Sequence, residues 1–101
     1  MEENVYYANL FDIYGELLTD KQQKYFKYYY FENLLLDEIS EICNVSKNAV
    51  SKEIKRAKEM LEYYEEKLHI LKFNENLYKE FKNDEDILRR IENCLNTTPA
   101  P

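Results

Sequence analysis

The stretch "LDEISEICNVSKNAVSKEIKRAK", Leu36 to Lys58, decides the reading of this chain. Its last thirteen residues, Ser46 to Lys58, carry five bases (Lys47, Lys52, Lys55, Arg56 and Lys58) and one acid, Glu53. That is a net +4 inside a chain of net −6. Residues 1–45 hold nine acids against three bases, and residues 59–101 hold ten against six. A nonspecific nucleic-acid coat would be basic throughout. This chain is repelled by phosphate everywhere except along one short segment, so the segment's geometry matters more than the overall charge.

Placed at about 100° per residue, positions 47–58 separate into two sides. Val50, Ile54 and Ala57 gather on one, and Lys47, Asn48, Ser51, Lys52 and Lys55 on the other, with Lys58 beside them. Before this helix, Leu36, Ile39, Ile42 and Cys43 form the apolar side of a short one. "NVS" between them predicts a tight turn, because Asn tolerates the left-handed backbone that such turns need. Ser46 is the predicted N-cap of the second helix. Val45 is expected to plug the turn, and the small Ser40 to stand where the two helices approach most closely.

Two short helical stretches, a turn and a basic outer face make a helix-turn-helix. The major groove admits one helix, whose side chains offer donors to base edges while the preceding helix braces it across the backbone. On this reading Lys47, Asn48, Ser51, Lys52 and Lys55 face bases, and Arg56 and Lys58 hold phosphates. The same charge run would also describe the solvated side of an ordinary bundle helix. The small residue, turn and cap at these offsets favour the helix-turn-helix.

Working outward, the rest reads as helix. The chain has 101 residues and one glycine, Gly15, and both prolines, Pro99 and Pro101, sit at its end. Few residues of the kind that punctuate hairpins are present, so an all-α fold is expected. Tyr6, Tyr7, Leu10, Phe11, Tyr14, Leu17 and Leu18 recur at helical spacing. Thr19 with Gln22 fits a capping box that opens a second helix at about Asp20. In "KYFKYYYF", Tyr25, Phe26 and Tyr29 are expected inward and Tyr28 and Tyr30 outward. A stacking platform for single strands is the other reading of these rings, and core packing is favoured over it. After Ser46, the apolar positions Val50, Ile54, Ala57, Leu61, Tyr64, Leu68 and Leu71 alternate spacings of four and three. They predict one long recognition helix from Lys47 to about Lys72. Phe73, Leu77 and Phe81 mark a further helix. Asn83 with Asp84, Glu85 and Asp86 opens a last one that buries Ile87, Leu88, Ile91 and Leu95.

The expected architecture is therefore a helical bundle over residues 1–72 with its helix-turn-helix at 36–58. C-terminal helices over 73–95 form an extension packing on it or on a partner, and 96–101 is a tail. The seam from Leu61 to Leu71 needs a cover, from the first helix and the C-terminal helices or from a second copy. A homodimer through the aromatic first helix or this seam is the expectation.

Other chemistry finds little support. No apolar run approaches the roughly 20 residues of a membrane span, and "MEENVYY" lacks an apolar signal core. Cys43 and Cys94 show no metal spacing and read as reduced thiols of a cytoplasmic protein. His69 stands alone on an acidic stretch. Glu65 and Glu66, being adjacent on a helix, point different ways. There is no Gly-rich phosphate loop. Neither catalytic residues nor metal ligands nor a cofactor are expected.

The run "LLTDKQQKYFKYYYFENLLLDEISEICNVSKNAVSKEIKRAKEML" resembles the fourth, promoter-reading region of bacterial sigma factors. Glu38-Ile39 is its acidic-Ile pair. Ser40 stands where that pattern has Ala, and Asn44 where it has Gly, replacements that are small or tolerant of turns. At 101 residues the chain is not expected to be a full sigma factor. Over residues 5–72, through "NLFDIYGELLTDKQQKYFKYYYFENLLLDEI" and "VSKNAVSKEIKRAKEMLEYYEEKLHIL", the chain is similar to the YlxM family. These are small sigma-like helix-turn-helix proteins of Gram-positive bacteria and mollicutes. The resemblance implies a DNA-binding regulator linked to the signal recognition particle pathway, because the family's genes neighbour that of the particle's GTPase. The alternative is a protein-interaction module acting on that GTPase or its receptor, or binding the particle's RNA.

Overall fold

The computed structural model describes residues 3–96, the side chains of 95 and 96 excepted. Its regular elements are six α-helices: α1 Glu3–Tyr14, α2 Asp20–Phe26, α3 Leu36–Cys43, α4 Lys47–Leu68, α5 Ile70–Phe81 and α6 Glu85–Asn96. A 3₁₀ turn, Gly15–Leu17, follows α1, and a π turn, Lys27–Phe31, continues α2. The described residues contain no strand, and the fold is all-α. The chain divides into two compact units, Met1–His69 and Ile70–Pro101.

In the first unit α4 packs against α1, α2 and α3. The core holds Tyr7, Leu10, Tyr14, Leu18, Tyr25, Phe26, Ile39, Val50, Ile54, Ala57 and Leu61. Burying each large apolar side chain among them contributes roughly 1.5–3 kcal/mol. Tyr25, Ile39, Val50 and Ile54 form the cluster beneath the α3–α4 corner, with Cys43 and Leu36 at its edge. Aromatic stacking ties α1 to α2: the Phe11 and Phe26 rings lie parallel with centroids 4.6 Å apart. Gly15 passes so close to Phe11 that a Cβ there would lie 3.0 Å from the ring. Two phenols of α1 reach α4, Tyr7 donating to Glu62 Oε1 at 2.6 Å and Tyr14 to Glu65 Oε1 at 2.7 Å. Buried rings thus keep their polar tips satisfied. α1 therefore covers the seam at Leu61, and its buried stripe of Tyr7, Leu10 and Tyr14 is used within the unit.

The caps form as their residues dictate. The Thr19 hydroxyl accepts from Gln22 N–H at 3.2 Å, and the Gln22 amide oxygen accepts from Thr19 N–H at 3.1 Å.

Several expectations are corrected. Tyr29 is 38% exposed, while Tyr28 and Tyr30, expected outward, are half-buried: Tyr28 packs on the cluster around Tyr25, and Tyr30 stacks on Phe26 at 4.4 Å. The cause is the π turn, in which Glu32 N–H donates to the Lys27 carbonyl five residues back. A wider turn fits one more residue per revolution, so the inward position moves from 29 to 30. Ile42 is 56% exposed, because α3 is short and Ile39 with Cys43, four apart, takes its inner side. Val45 is exposed as well. Leu17, in the 3₁₀ turn, faces out while Leu18 is buried.

The long helix also ends early. α4 stops at Leu68, His69 adopts a left-handed backbone (φ 56°), and its N–H donates to the Glu65 carbonyl at 2.8 Å. Leu68 is exposed, and Leu71 belongs to α5.

The second unit is the pair α5 and α6, packed on each other. Asp84 opens α6 by accepting from Ile87 N–H at 3.1 Å. Leu77, Phe81, Ile87, Leu88 and Ile91 are half-buried, and Phe73 and Tyr78 are exposed. The expected burial of Leu95 lies outside the described side chains.

Candidate nucleic-acid interface

The corner between α3 and α4 is built from backbone hydrogen bonds. Asn44 is left-handed (φ 54°, ψ 47°); its N–H donates to the Glu41 carbonyl and that of Val45 to the Ser40 carbonyl. These two bonds make a Schellman ending, which satisfies the last carbonyls of α3 and reverses the chain within two residues. Ser46 then accepts from Ala49 N–H at 3.0 Å, starting α4. At the other end of α3, Leu35 N–H donates to Glu38 Oε1 at 2.9 Å. The Ser40 hydroxyl donates to the Asp37 carbonyl. Ile39 and Val50, both fully buried, lock the two helices together. The corner is a helix-turn-helix with α4 as its second helix.

That anchoring fixes which side of α4 meets solvent. Lys47, Asn48, Ser51, Lys52, Lys55 and Arg56 are all exposed. Asn48, Ser51, Lys52 and Lys55 line one shallow hollow with Ser46 and Ala49. Among the described residues no carboxylate stands within 4 Å of the Lys52 or Lys55 ammonium. Lys47 lies 3.6 Å from Asp37, an exposed pair of little energetic weight. Arg56 is bound to Glu53 at 3.0 Å one turn away.

Lys58 is placed differently. It is half-buried and turned toward α1, with Nζ 3.0 Å from Glu3 Oε1 and 4.6 Å from the centre of the Tyr7 ring. Burial disfavours its charge, but the Glu3 carboxylate and the Tyr30 hydroxyl outweigh that and raise its pKa above the ordinary lysine value. Burial also raises the Tyr30 phenol, against the pull of Lys58. The Tyr7 phenol is raised by burial first and then by its bond to Glu62, and Tyr25 by burial and by Cys43 and Glu53. These groups keep their uncharged hydroxyls at neutral pH.

A second hollow runs along the flank of α4. Glu3, Asn4, Tyr29, Tyr30, Ser51, Lys55 and Lys58 line it, with Leu36 and Ile54 at its base. Glu3, Asn4 and the two tyrosines escaped the sequence reading. The π turn that exposes Tyr29 has no signature in residue spacing, and Glu3 lies 55 positions from Lys58.

Other chemistry is not organised around these groups. Among the described residues no set of three His, Cys, Asp or Glu side chains could hold a metal ion. No described helix is long and apolar enough to cross a membrane.

Comparison with known proteins bears on the whole chain. The family described as "Putative helix-turn-helix protein, YlxM / p13 like" matches residues 1–98. A UPF0122 protein of Caldanaerobacter subterraneus subsp. tengcongensis is 40% identical over 96 residues, covering 94% of this chain and 76% of the relative. One from Oceanobacillus iheyensis is 48% identical over 82 residues, covering 81% and 71%. One from Lactococcus lactis subsp. cremoris is 39% identical over 90 residues, covering 82% and 81%.

Proposed function

Because this chain belongs to the family of YlxM / p13-like helix-turn-helix proteins, we propose that it is a regulator that binds duplex DNA through the outer side of α4. The observation that carries the reading is the exposure of Lys52 and Lys55 beside Asn48 and Ser51, with no carboxylate paired to either lysine among the described residues. Lys and Asn match guanine and adenine edges, and Ser serves either. Lys47 joins them toward the bases and Arg56 suits a phosphate, and the pairs these two now make are exposed enough to exchange. Two copies would present two readers to a site of matching symmetry. A role of this regulator in the signal recognition particle pathway is part of the proposal, and the resemblance to the family is what supports it.

The test is duplex binding as a function of salt. Several phosphate contacts make log Kobs fall linearly with log[salt], by about 0.9 per contact. A measurable affinity at low salt with such a slope is the expected result; no binding at low salt ends the reading.

A second reading draws on the acidity of the rest of the chain, which leaves the whole at a net −6 despite the basic segment. In it the protein is an interaction module. The basic helix docks on the particle's RNA or on an acidic patch, and the acidic surface meets the particle's GTPase or its receptor. A pull-down with and without nuclease, together with the rate of GTP hydrolysis, separates the two. Nuclease-resistant capture and an altered rate favour the second.

A further inference from the structure

The flank hollow beside α4 has the donors of an anion site and an internal carboxylate standing in it. Lys55 and Lys58 supply two ammonium groups, Ser51, Tyr29 and Tyr30 supply hydroxyls, and Asn4 an amide. Among the described residues the one carboxylate lining it is Glu3, which holds Lys58 at 3.0 Å. The Glu3 side chain is 68% exposed, so this bridge is of the kind that contributes about 0–1 kcal/mol and exchanges readily. Lys58 by contrast is fixed. It rests over the buried Tyr7 ring and beside the half-buried Tyr30, whose ring packs near that of Tyr7. The fixed half of the pair is the cation and the loose half is the anion.

Ser51 and Lys55 line this hollow and the hollow on the recognition side alike. A duplex whose major groove receives the outer side of α4 carries its sugar-phosphate strand along such a flank. A phosphate presents oxygen to an ammonium as a carboxylate does, with more charge-assisted bonds to offer.

We propose that the flank hollow takes one backbone phosphate of bound nucleic acid, on Lys58, Lys55 and the neighbouring hydroxyls, and that Glu3 occupies this phosphate's place in the free chain. The inference rests on the proposed DNA binding and adds a gate to it. The N-terminal turn of α1 competes with the ligand, so binding requires Glu3 to leave, and any change that removes its charge strengthens binding.

The experiment compares wild type, Glu3→Gln and Glu16→Gln in the full chain, by duplex binding across a salt series. Glu16 is exposed and lies about 20 Å from Glu3 along the α1 direction, so its variant makes the same charge change away from the hollow. Glu3→Gln should tighten binding severalfold at every salt concentration, with a slope close to that of wild type because the same phosphate is held in both complexes. Glu16→Gln should change the affinity far less, and adding Lys58→Gln to Glu3→Gln should abolish the gain. Equal effects of Glu3→Gln and Glu16→Gln, or a gain that survives Lys58→Gln, overturn the gate while leaving DNA binding intact. Absence of duplex binding by every variant overturns the DNA-binding reading and the gate with it. Inorganic phosphate at matched ionic strength, followed by the amide resonances of Ser51 and Lys58, is the remaining arm. Saturation at millimolar phosphate would make the hollow a small-anion site and overturn its assignment to a nucleic-acid strand.

Discussion

The Tyr7 hydroxyl donates to Glu62 Oε1 at 2.6 Å, across 55 positions of sequence, and pins the start of α1 to the middle of α4. The phenol must keep its proton to make that bond. Burial and the Glu62 carboxylate both raise its pKa in the folded chain, and burial raises those of Tyr25 and Tyr30. In the unfolded chain these phenols titrate near the ordinary value of about 10. A raised folded pKa means the unfolded chain releases protons first as pH rises, so stability is fully present below pH of about 10 and declines above it. Lys58, also raised, adds to the same decline. Urea unfolding midpoints should be flat between pH 7 and 9 and fall steeply by pH 11. Tyr7→Phe should cost about 1 kcal/mol at neutral pH and flatten the alkaline fall. An unchanged alkaline slope in Tyr7→Phe would contradict the assignment.

Tyr29 and Tyr30 are neighbours with opposite surroundings, and they should respond unequally to truncation. Tyr30 stacks on Phe26 and contacts the Tyr7 ring, while Tyr29 is exposed, lining the flank hollow with its ring edge-on to Tyr30. Tyr30→Ala should lower stability by about 2–4 kcal/mol, in the range of aromatic truncations at partly buried sites, and Tyr29→Ala by less than about 1. Thermal melts of the two variants check it. Equal losses would mean that the π turn does not persist in solution.

Asn44 holds the α3–α4 corner through its left-handed backbone. Asn44→Val should cost at least about 1–2 kcal/mol, since a branched side chain is the least tolerated there. Asn44→Gly should be neutral or slightly stabilising. Ser46→Ala, which removes the acceptor for Ala49 N–H, should cost about 1 kcal/mol. Chemical denaturation reads all three. A harmless Asn44→Val would remove the corner geometry on which the orientation of α4 depends.

These sites also mark where sequence was enough. The capping box of Thr19 and Gln22, the turn at Asn44 and the cap at Ser46 are local devices, complete within a few residues, and each is legible from side-chain chemistry alone. So is the inner side of α4 as far as Leu61, because straight helix repeats faithfully. Legibility fails where the backbone departs from 3.6 residues per turn without a Gly or Pro to announce it. The π turn at Lys27–Phe31 exchanges the roles of Tyr29 and Tyr30, and His69 ends α4 while the apolar spacing runs on to Leu71. It fails again where a partner is remote. The basic side of α4 is visible as a pattern, but the diversion of Lys58 to Glu3 depends on α1 folding back over α4.

A homodimer is proposed from apolar surface left exposed. Tyr63 and Leu68 are exposed at the end of α4, and in the second unit so are Phe73 and Tyr78. Light scattering at micromolar protein should give about twice the 12.3 kDa chain mass. Phe73→Asp with Tyr78→Asp should return it to that of one chain if the second unit supplies the contact. A single-chain mass for the wild type would remove the dimer, and with it the expectation of paired half-sites.

Lys52 offers the sharpest test of the recognition side, because its ammonium is exposed with no carboxylate within ion-pair distance among the described residues. Lys52→Glu reverses a charge at the centre of the hollow that Asn48 and Lys55 share. A good base or phosphate contact contributes about 1–3 kcal/mol, so affinity for duplex DNA should fall by tenfold or more at a fixed salt concentration. The melting temperature should move little, since solvated surface positions rarely matter to stability. Arg56→Gln should weaken binding less, because the guanidinium must first leave Glu53. Lys67→Glu, at the far end of α4, controls for net charge, and its effect should be the smallest of the three. Equal losses in all three variants would show that the protein responds to overall charge, and α4 would then not be a reading helix.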